Sequence, residues 1–225
     1  MSKKYPITVS SWTLGDQCTF EERVKAAKEA GFEGIGLRAE TYVDALNEGL
    51  FDADILAILE KYDMKATVSI VGAYTDAACE EAEPDPAYSY LDWQDVSVLR
   101  DSGHVEICNH SYDMHNLEGR RGVGQLEGES YEDYRKVFLN DTTKLQTLCD
   151  EHCGFQPNVY TYPFGITCES ASRLVKNMGF EASLGVEEKI NIIKKEDERC
   201  LFGLYRYNRS GIISTEEFMK KVFGA

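Results

Sequence analysis

The chain has 225 residues, 43% of them hydrophobic and 28% charged, a globular profile with material for one large core and too little for two full α/β domains. No apolar run reaches the ~18 residues of a membrane-spanning helix, which excludes a helical membrane protein. Thirty-nine acidic against 24 basic residues give a formal charge of −15; such a surface repels phosphate backbones and anionic lipid, excluding nucleic acid and membranes as partners. The first residues, Met1 to Pro6, carry charge with no long apolar stretch behind them. No secretory leader is read there, and a cytoplasmic location is expected. The seven cysteines are scattered without a C-x-x-C pair, which argues against zinc knuckles and a disulfide framework. Cys149 and Cys153, four apart in a helical stretch, could face one metal together or be two reduced, half-buried thiols.

Strands and helices alternate along the whole chain. Ile7–Ser10 reads as a short strand. Thr19 caps a helix whose apolar side carries Phe20, Val24, Ala27 and Ala30, with Glu22 completing a capping box and Gly31 closing it. Gly34–Leu37 is a second strand, followed by a loop to Gly49. Ile55, Leu56, Ile58 and Leu59 mark a helix, and Ala66–Val71 a strand apolar on both faces. An acidic loop over residues 75–87 follows. A helix at Trp93–Asp101 then leads to a strand at Val105–Cys108, and Glu118–Gly128 is a polar excursion. Tyr131–Cys153 is a long helix with Val137, Leu145 and Leu148 on its apolar side. A strand at Val159–Tyr162, a helix at Ser170–Asn177, strands at Ala182–Leu184 and Leu201–Tyr207, and a helix at Thr215–Val222 complete the reading. This alternation predicts an α/β fold: one (β/α) barrel over residues 1–225, closed or distorted, with about seven to eight strands. Chemistry is then expected at the C-terminal ends of the strands.

Two of the four histidines lie directly after a predicted strand, in Asn109-His110-Ser111-Tyr112-Asp113-Met114-His115. Five residues apart, they diverge on a helix and point to opposite faces of a strand, so they converge only if the segment is a loop. They are either two surface histidines or a metal pair. His104, at a strand start, and His152, late in a helix, read as structural or surface residues.

From Lys65 to Phe218 the chain resembles the polysaccharide deacetylases of carbohydrate esterase family four. The resemblance is carried by Met64–Gly72, Gly103–Ile107, His110–His115, Tyr162-Pro163-Phe164-Gly165 and Leu204–Arg209. Four residues between the histidines resemble the subgroup acting on N-acetylglucosamine polymers. The resemblance implies a divalent metal, usually zinc, on two histidines and one aspartate, with a second aspartate as general base and an amino-sugar oligosaccharide or polysaccharide as substrate. His110 and His115 match the histidine ligands. Ser111 would buttress their loop, and Tyr162, Pro163 and Phe164 would line the sugar groove. Arg206 and Arg209 would orient a carboxylate or sugar hydroxyls, or be solvated charges.

The family's Phe-Asp-Asp-Gly motif, which supplies base and aspartate ligand, is not found before Lys65; Phe51-Asp52-Ala53-Asp54 reads as a helix cap. Residues 5–64 instead resemble the opening of a sugar isomerase or epimerase barrel related to xylose isomerase, through Val9–Gly15, Ala26–Ile35 and Ile55–Met64. The two resemblances meet near residue 64, which suggests a hybrid of a 1–64 and a 65–225 segment, natural or engineered. On that reading Glu40 takes the place of the aspartate ligand and Ala39 that of the base. Asp113 is a weak catalytic candidate or a partner of a ligating histidine, and Asp76 a further carboxylate in reach. Trp12, Tyr74, Tyr88, Tyr90 and Trp93 could form a carbohydrate rim. The leading expectation is a metal-dependent, deacetylase-like hydrolase with an incomplete catalytic set; the alternative is a non-catalytic recombined or designed barrel.

Overall fold

The computed structural model describes residues 8–14, 18–37, 39–80, 90–207 and 215–223. In chain order the elements are β1 (Thr8–Ser10), α1 (Phe20–Glu29), β2 (Gly34–Gly36), α2 (Ala39–Asn47), α3 (Asp52–Lys61), β3 (Lys65–Ile70), α4 (Gly72–Glu80) and α5 (Trp93–Asp101). There follow β4 (Val105–Asn109), α6 (Tyr131–Cys153), β5 (Val159–Thr161), α7 (Glu169–Asn177), β6 (Ala182–Leu184) and α8 (Thr215–Phe223). The α/β class holds, and the six strands hydrogen-bond in chain order, β1 to β6. The seven or eight strands expected are therefore six among the described residues. The missing one is Leu201–Tyr207, where a 3-10 turn over Glu198–Leu201 and a single parallel bridge from Leu204 to Leu184 stand in place of a strand.

The chain divides into two compact units, and the division does not fall at residue 64. One unit comprises residues 1–68, 80–106 and 208–225, the other 69–79 and 107–207. Strands β3 and β4 each contribute residues to both.

In the first unit β1, β2 and the start of β3 pair in parallel, Thr8 with Gly34 and Gly34 with Lys65. Phe20, Val24, Ile35, Ile55, Leu59, Met64, Val96 and Leu99 are buried there. Helix α1 begins as its sequence dictates: the Thr19 hydroxyl accepts the Glu22 N–H at 3.3 Å, and the Glu22 carboxylate accepts the Thr19 N–H at 2.9 Å. Because the box satisfies two otherwise unpaired donors, Thr19→Ala should cost about 1 kcal/mol and lower the thermal midpoint by roughly 2–4 °C in a melt followed by circular dichroism. Phe51 and Asp54 cap α3 as expected, the Asp54 carboxylate accepting the Phe51 N–H at 2.9 Å. The segment before Gly49 is helix α2 and not a loop, because Thr41 and Ala45 share one buried face and the Thr41 hydroxyl bonds the buried Ser11 hydroxyl at 2.6 Å. Trp93 is buried in α5, while Tyr90 is half exposed. The Trp12 side chain, Ile7 and Tyr88 lie outside the described residues.

In the second unit β4, β5 and β6 pair in parallel, Asn109 with Tyr160 and Tyr160 with Ser183. Helix α6 packs on β4 and β5, its Gln146 meeting Asn109 and its Phe138 ring 5.8 Å from that of Tyr160, centre to centre. Ser130 caps its start, its hydroxyl accepting the Asp133 N–H at 3.1 Å, and Gly154 ends it in the left-handed region at φ +68°. Its inner face carries Tyr134, Phe138, Thr142, Leu145 and Cys149. Val137, expected inside, is 41% exposed. The acidic stretch expected to be loop from residue 75 begins as helix α4, whose Thr75 and Ala78 are buried; residues 81–89 lie outside the described set. No helix among the described residues is long and apolar enough to cross a membrane.

Candidate active site

The histidine segment leaves β4 at Asn109 and turns at once. Asn109 is fully buried. Its amide donates to Gln146 Oε1 at 3.1 Å on α6, and its Oδ1 accepts the Ser111 N–H at 2.9 Å. Ser111 takes φ +72°, the left-handed region that breaks strand geometry, and its hydroxyl accepts the Met114 N–H at 3.1 Å. This is the buttress expected of Ser111. The other side of the loop is stitched to the end of β3 and the start of α4. His110 N–H donates to the Ile70 carbonyl at 3.0 Å, and Gly72 and Ala73 N–H donate to the carbonyls of Ser111 and Tyr112 at 3.1 and 2.8 Å. Gly72 permits that approach, since a Cβ there would stand 2.6 Å from the Tyr112 ring.

As a loop the segment does what neither helix nor strand could. The rings of His110 and His115 come within 5.0 Å, centre to centre. His110 Nδ1 lies 2.7 Å from the Thr161 carbonyl at the end of β5. A carbonyl only accepts, so Nδ1 carries the proton and Nε2 is left as a bare lone pair. Burial pushes the His110 pKa down to about 4, against the Thr161 bond and with help from the charges of His115 and Arg206. Burial lowers His115 as well. Both imidazoles are therefore neutral near pH 7, the form that binds a metal.

Around His115 the wall is aromatic. Phe164 lies 4.2 Å away, centre to centre, and Tyr74 meets the ring edge-on at 5.9 Å while its hydroxyl donates to the His115 carbonyl at 3.2 Å. Phe164 is 39% exposed, whereas Tyr162 and Pro163 are buried, Tyr162 within the aromatic core with Tyr160, Phe138 and Phe180. Arg206 Nε donates to the Gly185 carbonyl, just past β6, at 2.6 Å. Arg209 lies outside the described residues.

The carboxylates are placed differently. Asp113 lines a cavity of about 300 Å³ with Asp141, Glu118 and Arg120, and neither histidine borders it. Asp76 accepts the Tyr112 hydroxyl at 3.0 Å. Glu40 is the second residue of α2, in the first unit, and its side chain lies outside the described set. Cys149 is buried, which pushes its thiol up to about 12, so it offers no thiolate beside Cys153. His104 is structural, its Nδ1 3.2 Å from the Met64 carbonyl.

Sequence reasoning missed Asp141. From α6 its carboxylate accepts the N–H groups of Tyr112 and Asp113 at 2.9 and 2.7 Å, holding the middle of the histidine loop. A signal was present: Asp141 stands three residues after Phe138 and four before Leu145, on the apolar stripe of the helix.

A zinc-class ion ~2 Å from each nitrogen, at a near-tetrahedral angle, sets two imidazole centres ~5 Å apart. The His110–His115 pair therefore fits two positions of such a site. No group of three or more His, Cys, Asp or Glu able to hold a metal occurs among the described residues.

The sequence model of the polysaccharide deacetylases matches residues 41–183. That match begins inside α2, so residues 41–64, expected from the sequence to belong to a sugar-isomerase-like segment, lie within the deacetylase match. No curated protein sequence matches the chain. Solved structures of similar fold include the de-N-acetylase from Aggregatibacter actinomycetemcomitans, 17% identical with a TM-score of 0.62 over 96% of this chain and 83% of that one. IcaB from Ammonifex degensii is 12% identical, TM-score 0.62, over 96% and 94% of the two chains. The Streptococcus pyogenes deacetylase PplD, solved in complex with acetate, is 14% identical, TM-score 0.61, over 96% and 98%. At such identities the likeness is one of fold. The family match spans well over half of the sequence, and the chain belongs to the polysaccharide deacetylase family.

Proposed function

We propose that this protein hydrolyses the acetamide of an N-acetylated amino-sugar polymer, with a divalent ion of the zinc class held by His110 and His115. The observation that carries the reading is the facing imidazole pair, 5.0 Å between ring centres, with His110 Nδ1 tied to Thr161 and Nε2 bare. Such an ion, when bound, polarises the acetamide carbonyl and makes its bound water acidic enough to attack near neutral pH. Around it the chain's own residues orient. Thr161 fixes the His110 tautomer, Asp141 fixes the loop, and the exposed Phe164 ring offers an apolar face to a sugar ring. A positioned general base contributes roughly 10²–10⁴-fold. The sequence carries no Phe-Asp-Asp-Gly motif to supply such a base, so turnover should lie below that of a family member that has it. A recombined origin near residue 64 gains no support from a family match that starts at residue 41.

The test is metal content and acetate release together. Wild type should hold one ion per chain, lost in both His110→Ala and His115→Ala. It should release acetate slowly from an N-acetylglucosamine oligomer until a chelator is added. Glu40→Gln, assayed alongside, decides whether the glutamate named from the sequence contributes a ligand. Metal content equal in wild type and both histidine variants, with no acetate released, would refute the reading.

A further inference from the structure

The turn between the two histidines rests on a relay of hydrogen bonds that begins outside the loop. Pro157, just before β5, and Thr142, on α6, present backbone carbonyls, which only accept. Gln146 Nε2, also on α6, donates to the Pro157 carbonyl at 2.9 Å. Its other end, Oε1, is thereby free to accept from Asn109 Nδ2 at 3.1 Å. The same Nδ2 reaches the Thr142 carbonyl at 3.4 Å, and Asn109 Oδ1 accepts the Ser111 N–H at 2.9 Å. Both ends of the relay are fixed by chemistry, a carbonyl at one and a backbone N–H at the other. One orientation of each carboxamide satisfies every link; turning either end for end sets donor against donor or oxygen against oxygen. Asn109 and Ser111 are fully buried, where a mismatched polar group is costly. The relay ends at the residue that turns the loop, since Ser111 takes φ +72° and its hydroxyl accepts the Met114 N–H. His115 follows directly. His110, before the turn, has anchors of its own at the Ile70 and Thr161 carbonyls.

We propose that Gln146 is a positioning residue for the imidazole pair: through Asn109 it orients the acceptor that holds the Ser111 turn, and so sets where His115 stands relative to His110. This rests on the deacetylase reading, in which the pair holds the ion. Asp141 grips the middle of the loop, whereas Gln146 governs its entry. The two ends of the Gln146 amide do different work. Oε1 serves the turn, and Nε2 serves the packing of α6 against the chain before β5. Gln146→Glu keeps an acceptor toward Asn109 and, ionised, gives up the donor to Pro157. Gln146→Met, of nearly the same length, gives up both.

Zinc is titrated by calorimetry into wild type, Gln146→Met and Gln146→Glu at low and at high salt, the latter screening the charge that glutamate introduces, and each protein is melted. Both variants should melt below wild type, because each loses the Pro157 bond. Zinc affinity should fall about 10-fold in Gln146→Met, the lower end of the range for residues that orient a metal ligand, and stay within about 3-fold of wild type in Gln146→Glu. This split is the signature of positioning, since a residue that only supports the fold would weaken zinc in step with the melting temperature. Affinity that follows the melting temperature in both variants would overturn the assignment and leave the deacetylase reading standing. Wild-type affinity in Gln146→Met would do the same. Zinc binding absent from the wild-type protein itself would overturn the deacetylase reading and the assignment with it.

Discussion

Replacing Asp141 by alanine should lower the thermal midpoint by roughly 4–10 °C and weaken metal binding at the His110–His115 pair about 10- to 100-fold. The carboxylate accepts two backbone N–H groups, from Tyr112 and Asp113. It is mostly buried, and burial raises its pKa against the pull of those two bonds and of Lys144. Removing it leaves two donors to find new partners. Each unsatisfied donor costs ~1–3 kcal/mol, and water from the adjoining cavity makes good part of that, which gives a net ~2–3 kcal/mol. The larger consequence is positional. His110 and His115 stay 5.0 Å apart only while the intervening turn is held. Tyr112 would keep its other ties, the hydroxyl to Asp76 and the ring beneath the Lys144 ammonium at 3.5 Å. The loop should therefore loosen around Asp113 without unfolding. Calorimetric titration with zinc and a melting curve read the two effects separately. Wild-type zinc affinity in Asp141→Ala would show that the loop holds its shape without the helix carboxylate.

The second large effect is a loss of stability as pH rises, originating in the first unit. Asp95 lies in the first turn of α5, where its carboxylate accepts the Asp92 N–H at 3.1 Å and the Asp92 carboxylate accepts its own N–H at 2.8 Å. Burial, then the charges of Asp52 and Asp92 and a hydrogen bond with Asp52, raise its pKa from 3.8 to about 7, against the Asp92 backbone bond. Asp52 also accepts the Tyr42 hydroxyl, so α2, α3 and α5 meet at carboxyl groups. A folded pKa above the unfolded one means that the folded state binds the extra proton between pH 3.8 and about 7. Stability is full below that window and is lost as pH rises through it. Asp95 is partly exposed, so after discounting for solvent screening the loss should be ~1–2 kcal/mol. Both tryptophans of the sequence, Trp12 and Trp93, belong to this unit, and fluorescence-detected urea unfolding reports on it. The midpoint should fall from pH 5 to pH 8 in wild type and stay nearly level in Asp95→Asn. Parallel curves for the two proteins would dismiss the mechanism.

Which features were legible in the sequence follows the range of the interaction. The α1 capping box with its Gly31 stop, the extent of α6 and the β-α alternation are set by residues close together along the chain, and patterning reveals them. The motif that held the two histidines was legible for a related reason: only a loop lets residues five apart converge, and the segment follows a strand. Misreadings arose where a distant partner decided the outcome. Residues 39–47 became helix because Thr41 and Ala45 found a buried neighbourhood that includes Ser11, thirty positions earlier. Leu201–Tyr207 carries the composition of a strand but meets its neighbour at one bridge. Tyr162 and Pro163 went into the core while Phe164, one residue on, takes φ +55° and presents its ring beside His115.

The α/β class, the family and the histidine motif could be read from residues alone, because each is written in local pattern or in a short motif. That His110 keeps its proton on Nδ1 and that Asp141 holds the loop from α6 emerges only once the chain is folded. Those features depend on hydrogen bonds and charges between residues some 20 to 50 positions apart, and no spacing rule along one chain can encode which of 39 acids will meet which donor.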